Sequence, residues 1–181
     1  MPFLHLPVQS GSSKILKMMN RKYDVEFYRD IILKIRDKSP NIEISSDFII
    51  GYPGESEQDF INTLELIDDI KFTQSYSFIY SARPGTKSAM IEDNLTKKVK
   101  SERLKILQSK LTEIQHDFNK THVGKKTSVL IENQSATNPE YYFGRTPYMQ
   151  SVYIKSNNLI NGEEKDIKIT SCNHKSLYGT C

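Results

Sequence analysis

Strand-like and helix-like segments alternate through the first two thirds of this 181-residue chain. Short apolar stretches at residues 1–8, 42–50 and 74–81 are separated by longer stretches in which apolar residues recur every three or four positions. Such alternation requires crossover connections, which place parallel strands in one sheet with helices packed outside it. We therefore predict an α/β fold with a parallel sheet for this part of the chain.

The predicted helices carry start signals in the sequence. Ser12 or Ser13 can cap a first helix, and Asp24 is a good N-cap for a second helix that Ser39-Pro40 ends. Ser56, followed three residues later by Asp59, predicts a capping box for a third helix. Its expected buried stripe consists of Phe60, Leu64 and Ile67.

A fourth and longer helix is predicted over residues 96–121. It contains seven basic and three acidic residues, so we expect a solvated face with a net charge of +4. Its predicted buried stripe consists of Val99, Ile106, Leu107, Leu111, Ile114 and Phe118.

The pattern changes after Gly124, where segments become short and alternate between apolar and polar residues. Strands are expected at residues 127–131, 141–146, 150–155 and 166–170, separated by the turn signals Asn138-Pro139, Asn157-Asn158 and Asn161-Gly162. This spacing predicts a small all-β barrel. We place the domain boundary between residues 120 and 121, with domains at 1–120 and 121–181.

Composition narrows the class of protein. Basic and acidic residues nearly balance, 25 against 22, so no strong global field dictates a partner. No stretch approaches the roughly 20 apolar residues of a membrane helix, and the first residues lack a signal-peptide layout. We expect a soluble, cytoplasmic protein without a membrane partner.

The cysteine content limits the metal chemistry. Cys172 and Cys181 are the two cysteines of the chain. A disulfide scaffold is not expected, and a site built only from thiolates needs three or four ligands. The sequence therefore predicts no metal site and two reduced thiols.

Three polar loops follow the predicted parallel strands, where α/β sheets bind ligands. They cover residues 5–13, 51–56 and 81–86, and their glycines allow backbone to approach a ligand closely. His5 and Glu55 are candidate acid or base groups, although each also has an ordinary structural role, in a hydrogen bond or beside a helix N-terminus. No Ser-His-Asp, HExxH or phosphate-loop motif is present.

Basic and aromatic residues occur together in the predicted barrel. The candidates for an RNA-binding face, which would neutralise phosphates and stack unpaired bases, are Lys125, Lys126, Arg145, Tyr148, Tyr153 and Lys155. From composition alone, a solvated barrel surface is the simpler interpretation.

Four ordered motifs carry a resemblance that spans nearly the whole chain. They are HLPVQSGS at residues 5–12, MMNR at 18–21, DFIIGYPGE at 47–55 and YSARPGT at 80–86. Together they resemble the C-terminal part of the radical S-adenosylmethionine methylthiotransferases, and Gly144-Arg145-Thr146 resembles the tRNA-binding TRAM domain of that family. The implied fold is the last three strand–helix units of a radical-SAM (β/α) barrel, followed by an OB-like TRAM barrel.

The resemblance also implies a chemistry. The family uses S-adenosylmethionine and two [4Fe–4S] clusters to add a methylthio group to C2 of N6-isopentenyladenosine beside the tRNA anticodon. By motif position, the expected cofactor-binding residues are His5, Gln9, Ser10, Gly51, Gly54, Glu55, Tyr80 and Arg83. tRNA is the expected partner, with Lys125, Lys126, Arg145 and Tyr148 as its expected contacts.

The chain departs from the family pattern in its cysteines. The CxxxCxxC loop and the three further cluster cysteines of the family have no counterpart here, and Met149-Gln150 replace an expected asparagine. We therefore expect an open half-barrel that is inactive alone and that either is poorly soluble or pairs with an upstream-encoded half carrying the cluster ligands. Two alternatives stay open. One is a stand-alone RNA-binding module with a vestigial half-barrel, and the other is a fragment of a sister enzyme acting on a ribosomal protein or another modified adenosine.

Overall fold

The computed structural model describes residues 1–136 and 138–181, without the side chain of residue 87. The chain divides into two compact units, one of residues Leu4–Leu111 and one of Thr112–Cys181 together with Met1–Phe3. This division falls within the last helix. The predicted boundary between residues 120 and 121 stays a prediction.

The first unit contains the alternating elements predicted from the sequence. In chain order they are β1 (Phe3–His5, whose first residue belongs to the other unit), α1 (Ser13–Met18), α2 (Val25–Lys38), β2 (Glu43–Ser45), β3 (Asp47–Ile50), α3 (Glu57–Ile70), β4 (Tyr76–Ile79), a 3-10 turn (Lys87–Met90) and the first part of α4 (Lys97–Lys120).

Parallel pairing brings the predicted loops to one edge. β3 pairs with β4 in parallel, from Asp47 opposite Tyr76 to Ile50 opposite Ile79. On the other side of β3, Gln9 forms a parallel bridge with Phe48, in which the Gln9 carbonyl accepts from the N–H of Ile49 at 2.8 Å. The loops that follow these segments therefore leave the sheet at the same end, as predicted.

The single strand predicted over residues 42–50 is wrong in two respects. It is broken at Ser46, whose N–H donates to the Ser75 hydroxyl at 3.1 Å and whose own hydroxyl accepts from the Val8 N–H at 2.9 Å. The continuous apolar run at residues 48–50 also predicts a strand buried on both faces, but Phe48 and Ile50 are buried whereas Ile49 between them is partly exposed. Ile49 points to the opposite face of the sheet, which also carries the exposed side chains of Tyr76 and Phe78 of β4 and which we call the open face.

The helix caps agree with the sequence signals. Ser12 caps α1, Asp24 caps α2, and Ser56 with Asp59 forms a complete capping box on α3. These signals are local, so a sequence pattern can specify them.

The predicted helix stripes are partly wrong. Phe60 and Ile67 of α3 are buried, but Leu64 is partly exposed and Leu66 is buried in its place. On α4, Ile106 is 51% exposed, and the buried positions of its first half include two cations. These positions are Lys100, Arg103, Leu107 and Leu111.

The second unit is a closed five-stranded barrel. Its strands are β5 (Lys126–Gln134), β6 (Tyr141–Arg145), β7 (Ser151–Lys155), β8 (Glu164–Cys172) and β9 (Ser176–Thr180), in the spatial order β5-β6-β7-β9-β8. β9 is absent from the sequence prediction. It pairs in parallel with β7 and antiparallel with β8, which closes the barrel.

The barrel has its own apolar core and two glycines at close strand contacts. The core consists of Val129, Ile131, Val152, Ile154, Leu159, Ile167, Ile169 and Leu177. A Cβ atom on Gly144 would lie 2.5 Å from the Leu130 carbonyl oxygen, and one on Gly179 would lie 2.5 Å from Ile167 Cγ2. Gly144 of the Gly-Arg-Thr motif is thus needed for strand packing.

Among the helices of the described residues, none is long and apolar enough to cross a bilayer.

Candidate functional site

The loop after β1 is tightly built into the first unit. Gln9 has a φ of +74°, a left-handed conformation that is uncommon for residues other than glycine. The next residue but one, Gly11, lies against α3, where a Cβ atom would be 2.5 Å from the Asn62 carbonyl oxygen. The Gly11 N–H donates to the Thr63 hydroxyl at 3.0 Å. This loop is therefore rigidly placed by the helix behind it.

A buried carboxylate ties this loop to the N-terminus of α3. Asp59 accepts hydrogen bonds from the Ser12 hydroxyl at 2.6 Å, from Lys14 Nζ at 2.7 Å and from the Ser56 N–H at 2.8 Å. Burial works against ionisation, but these donors outweigh it and hold the pKa of Asp59 well below its usual range. Ser10, a predicted cofactor contact, is buried, and its hydroxyl accepts from the Ser12 N–H at 3.2 Å.

The turn after β3 is held by a buried ion pair. The Glu55 carboxylate accepts from the Gly51 N–H at 3.1 Å and from Arg103 Nη1 at 2.6 Å, and both side chains of the ion pair are almost fully buried. Arg103 Nη2 also donates to Glu57 at 2.8 Å. Burial raises the pKa of Glu55, while the Gly51 N–H and Arg103 act in the opposite direction. Glu55 therefore has a structural role in this turn.

A second basic side chain of α4 covers the same turn. Gly51 has a φ of +67°, and a Cβ atom there would lie 2.7 Å from Lys100 Cγ. The Lys100 ammonium pairs with Asp93. The sequence predicted that the basic residues of this helix lie on a solvated face. That prediction is wrong for Lys100 and Arg103, whose side chains are buried. Lys100 and Arg103 lie seven and four residues before Leu107, on the same helical stripe, and this spacing was the available signal.

His5 is the last residue of β1 and not part of the loop that follows it. Its Nδ1 is 2.8 Å from the Ser45 hydroxyl and its Nε2 is 3.5 Å from Asp47 Oδ2. The imidazole is 43% exposed, so it is oriented by its neighbours and still reachable from solvent.

A cavity of about 450 Å³ lies at the carboxyl end of β3 and β4. Its lining includes Ile49, Phe78, Tyr80 and Arg83. The Tyr80 ring packs edge-on against Tyr52, with ring centroids 4.9 Å apart, and its buried hydroxyl has no hydrogen-bond partner among the described residues. A buried hydroxyl without a protein partner, beside a cavity of this size, fits a ligand that carries a polar group.

Two of the eight predicted cofactor-binding residues, Tyr80 and Arg83, line this cavity. Gly54, with a φ of +85°, belongs to the turn after β3 and is not among the residues that line the cavity; its carbonyl accepts from Lys14 Nζ at 3.0 Å. The cofactor contacts of His5, Gln9, Ser10, Gly51, Gly54 and Glu55 stay predictions, as do those of Tyr80 and Arg83.

The predicted RNA contacts have different environments within the barrel unit. Lys125 and Lys126 are exposed. Arg145 lies 5.2 Å from the centre of the Phe143 ring, donates to the Met149 carbonyl at 3.1 Å and has Glu132 at 3.6 Å. Their RNA contacts remain predictions.

The fourth of these residues, Tyr148, belongs to an aromatic cluster. Its ring centroid is 5.5 Å from Phe118 and 5.6 Å from His122. Burial lowers the pKa of His122 in this cluster, although a hydrogen bond to the Phe118 carbonyl works the other way. The RNA contact of Tyr148 also stays a prediction.

The residues after the Arg-Thr pair form a buried polar network. Gln150 accepts from the Thr146 hydroxyl at 3.1 Å and donates to Asn119 Oδ1 at 2.9 Å. Asn119 in turn donates to the Asn173 carbonyl at 2.9 Å. Met149 has a φ of +62°, a region in which asparagine is several-fold enriched.

The residues present do not fit an iron–sulfur cluster. Cys172 is partly buried, and Cys181 is exposed. In the described part of the chain, no three His, Cys, Asp or Glu side chains are grouped so as to hold a metal ion. Burial also raises the pKa of the Cys172 thiol, which disfavours the thiolate that a metal requires.

Comparison with known families agrees with the two units. The radical SAM superfamily model matches residues 1–67, and the TRAM domain model matches residues 120–181. The fold class predicted from the sequence, an α/β segment followed by a small β-barrel, is confirmed.

Comparison with known proteins extends the similarity over the whole chain. The tRNA-2-methylthio-N(6)-dimethylallyladenosine synthases of Rickettsia felis and Rickettsia conorii are each 51% identical to it over 180 residues, covering 99% of this chain. The Rickettsia bellii enzyme of the same name is 48% identical over 180 residues. The chain spans about 40% of the length of these relatives. The resemblance to part of a radical-SAM methylthiotransferase is confirmed.

Proposed function

We propose that this chain forms one wall of the cofactor cavity and the RNA-binding barrel of a tRNA methylthiotransferase. The observation that carries the proposal is the 51% identity over 180 residues to synthases of this kind. The cavity beside Tyr80 and the closed barrel are the two structural features that agree with it.

The proposed substrate is tRNA carrying N6-isopentenyladenosine next to the anticodon. The relatives are named for the product, a 2-methylthio derivative of N6-dimethylallyladenosine. The reaction places a methylthio group on C2 of that base. This assignment also favours a cytoplasmic location, where mature tRNA is modified.

S-adenosylmethionine is the proposed ligand of the cavity at the end of β4. The cofactor supplies a radical equivalent and a methyl group when it is bound in the complete enzyme. Arg83 provides a cation for its carboxylate, and the unpartnered Tyr80 hydroxyl provides a hydrogen bond. Phe78 and Ile49 exclude water from one side of the space.

The iron–sulfur ligands must come from outside the 181 residues described by this sequence. Cys172 and Cys181 are too few, and the structure gives no grouping of metal ligands in its described part. We therefore propose that a segment or chain carrying the cluster cysteines completes the site on the open face of the sheet.

Complementation in cells tests this proposal. A bacterial strain lacking its methylthiotransferase would express this chain alone, a chain carrying the cluster cysteines alone, or both together. We expect 2-methylthio-N6-isopentenyladenosine in hydrolysed tRNA, measured by mass spectrometry, when both are present. A paired expression with Arg83→Ala should reduce the modification, and Ile160→Ala, which changes an exposed side chain of the barrel, is the matched control.

A stand-alone RNA-binding module is a second candidate function. The closed barrel with its own core favours it, because this unit needs no further strand to complete its sheet. Salt-dependent tRNA binding by the chain, without any methylthiotransferase activity in the complemented strain, would support this alternative.

A further inference from the structure

Three strands of the barrel present a continuous outer face. The inward positions of β6, β7 and β9 include Gly144, Val152, Ile154, Leu177 and Gly179, all of which are buried. The alternate positions of the same strands therefore point away from the core. In register, Phe143 lies opposite Tyr153, and Tyr153 lies opposite Tyr178. We call these three side chains the aromatic row.

The aromatic row has the geometry of a stacking platform. The ring centroids of Phe143 and Tyr153 are 5.5 Å apart, and those of Tyr153 and Tyr178 are 5.7 Å apart with an interplanar angle of 22°. Asn173 Nδ2 donates to the Tyr178 hydroxyl at 3.1 Å, which fixes the end of the row. The rings are partly exposed, so their upper surfaces are accessible to a ligand.

The charges around the row are suited to a polyanion. Arg145 lies over the Phe143 ring at 5.2 Å, and Lys155 follows Tyr153 on the same face. No carboxylate occupies an outward position on β6, β7 or β9. The nearest acids, Glu132 and Glu140, lie 3.6 Å and 3.5 Å from these two cations in half-exposed pairs. Surface pairs of this kind are weak, so a phosphate can compete for the cations.

A cavity of about 400 Å³ adjoins the row. Its lining includes Tyr141, Tyr153, Asn173, Lys175 and Tyr178. The volume falls in the range of small-molecule pockets, roughly 300–1,000 Å³, so a flipped-out nucleobase fits beside the rings. The amide of Asn173 and the ammonium of Lys175 supply polar groups for base edges or phosphate.

We propose that the aromatic row, with Arg145 and Lys155, stacks unpaired nucleotides of RNA. Aromatic side chains aligned across neighbouring strands bind single-stranded bases by their π-faces, and flanking cations neutralise the backbone. The inference rests on the proposed function, because it names the surface through which the barrel binds tRNA. It assigns stacking to Phe143, Tyr153 and Tyr178, of which Tyr153 is among the candidates named from the sequence and Phe143 and Tyr178 are not.

Fluorescence anisotropy with the full chain tests the proposal. The probes are a labelled 17-nucleotide anticodon stem-loop and a fully paired RNA duplex of equal length. We expect tighter binding of the stem-loop. Tyr153→Leu keeps apolar bulk but removes the aromatic face, and we expect it to weaken stem-loop binding about tenfold. Tyr153→Phe should bind like the wild type, and Ile160→Ala serves as the control for an exposed apolar side chain elsewhere on the barrel.

The salt dependence of RNA affinity distinguishes the stacking of bases on the aromatic row from the neutralisation of phosphates by its cations. Lys155→Ala should lower the slope of log Kd against log salt concentration by about one, whereas Tyr153→Leu should leave that slope unchanged. Wild-type affinity in both Tyr153→Leu and Tyr178→Leu, with melting temperatures showing that both fold, would overturn the stacking inference alone. Equal affinity for duplex and stem-loop would also overturn it. If the wild-type chain binds neither RNA, the RNA-binding part of the proposed function fails together with it.

Discussion

Arg103 Nη1 lies 2.6 Å from Glu55 Oε1, and this buried ion pair joins α4 to the turn after β3. The same carboxylate holds the Gly51 N–H, so the helix, the turn and the end of the strand form one connected unit. The wall of the proposed cofactor cavity depends on this connection, because β3 ends where the turn begins.

Removing Arg103 should strongly destabilise the first unit. Arg103→Met leaves the Glu55 carboxylate buried without its partner, which costs about 3–5 kcal/mol. Chemical denaturation at pH 7 measures the loss, and it should shrink at low pH as Glu55 takes up a proton. Lys110→Met is the matched control, because Lys110 lies on the same helix as Arg103 and pairs with the half-exposed Asp68 of α3. The control should lose less than about 1 kcal/mol. Equal losses in the two variants would contradict this account.

Asp59 should make the stability of the chain pH-dependent. Its folded pKa lies below its usual range, so its contribution is present above the unfolded pKa and is lost as the pH falls below about 5. Asp59→Asn should therefore be destabilising at pH 7, with a penalty that becomes smaller towards pH 3. Thermal melting across this range measures the difference. A penalty that is constant with pH would show that the charge of Asp59 does not stabilise the loop.

Met149 should be replaceable with a gain in stability. Its φ of +62° is strained for a methionine, and asparagine adopts this conformation more readily. Met149→Asn should raise the free energy of unfolding of the barrel by about 0.5–1 kcal/mol. Met149→Val should lower it, because β-branched residues tolerate this region poorly. Calorimetry of the full chain compares the three proteins, and a stabilising valine would refute the argument.

The open face of the sheet should promote self-association of the chain when it is alone. Tyr76 is 60% exposed and Phe78 is 54% exposed on neighbouring outward positions of β4. Exposed apolar surface of this kind is typical of an interface. Phe78→Gln should shift sedimentation profiles towards monomer, whereas Ile160→Gln, an exposed change in a barrel turn, should not. A wild-type chain that is monomeric at all concentrations would argue against an incomplete wall.

The helices and loops could be predicted from the sequence because their signals involve residues that are close together in the chain. Contacts between residues far apart in the chain could not be predicted in this way. The capping box of Ser56 and Asp59 spans four residues, so its pattern is visible directly. Arg103 and Glu55 are 48 positions apart, and a basic residue in a charged helix gives no sign that it is buried against that partner. The sequence prediction therefore assigned Arg103 to a solvated face.

The strand β9 shows the same limit in the barrel. Its residues Ser176–Thr180 contain a glycine and few apolar residues, which is a weak strand pattern. The segment is a strand because β7 and β8 pair with it on either side. Tyr153 was a candidate from the sequence, but its alignment with Tyr178 was not predicted, because Tyr178 joins the aromatic row only through β9.

We propose that this chain contributes to a radical-SAM site, although its two cysteines are too few to ligate the clusters. The most direct measurement is anaerobic reconstitution of the purified chain with iron and sulfide, followed by assay for 5′-deoxyadenosine released from S-adenosylmethionine. We predict none from the chain alone, and release once a segment carrying the cluster cysteines is added. Release of 5′-deoxyadenosine by the chain alone would contradict the account.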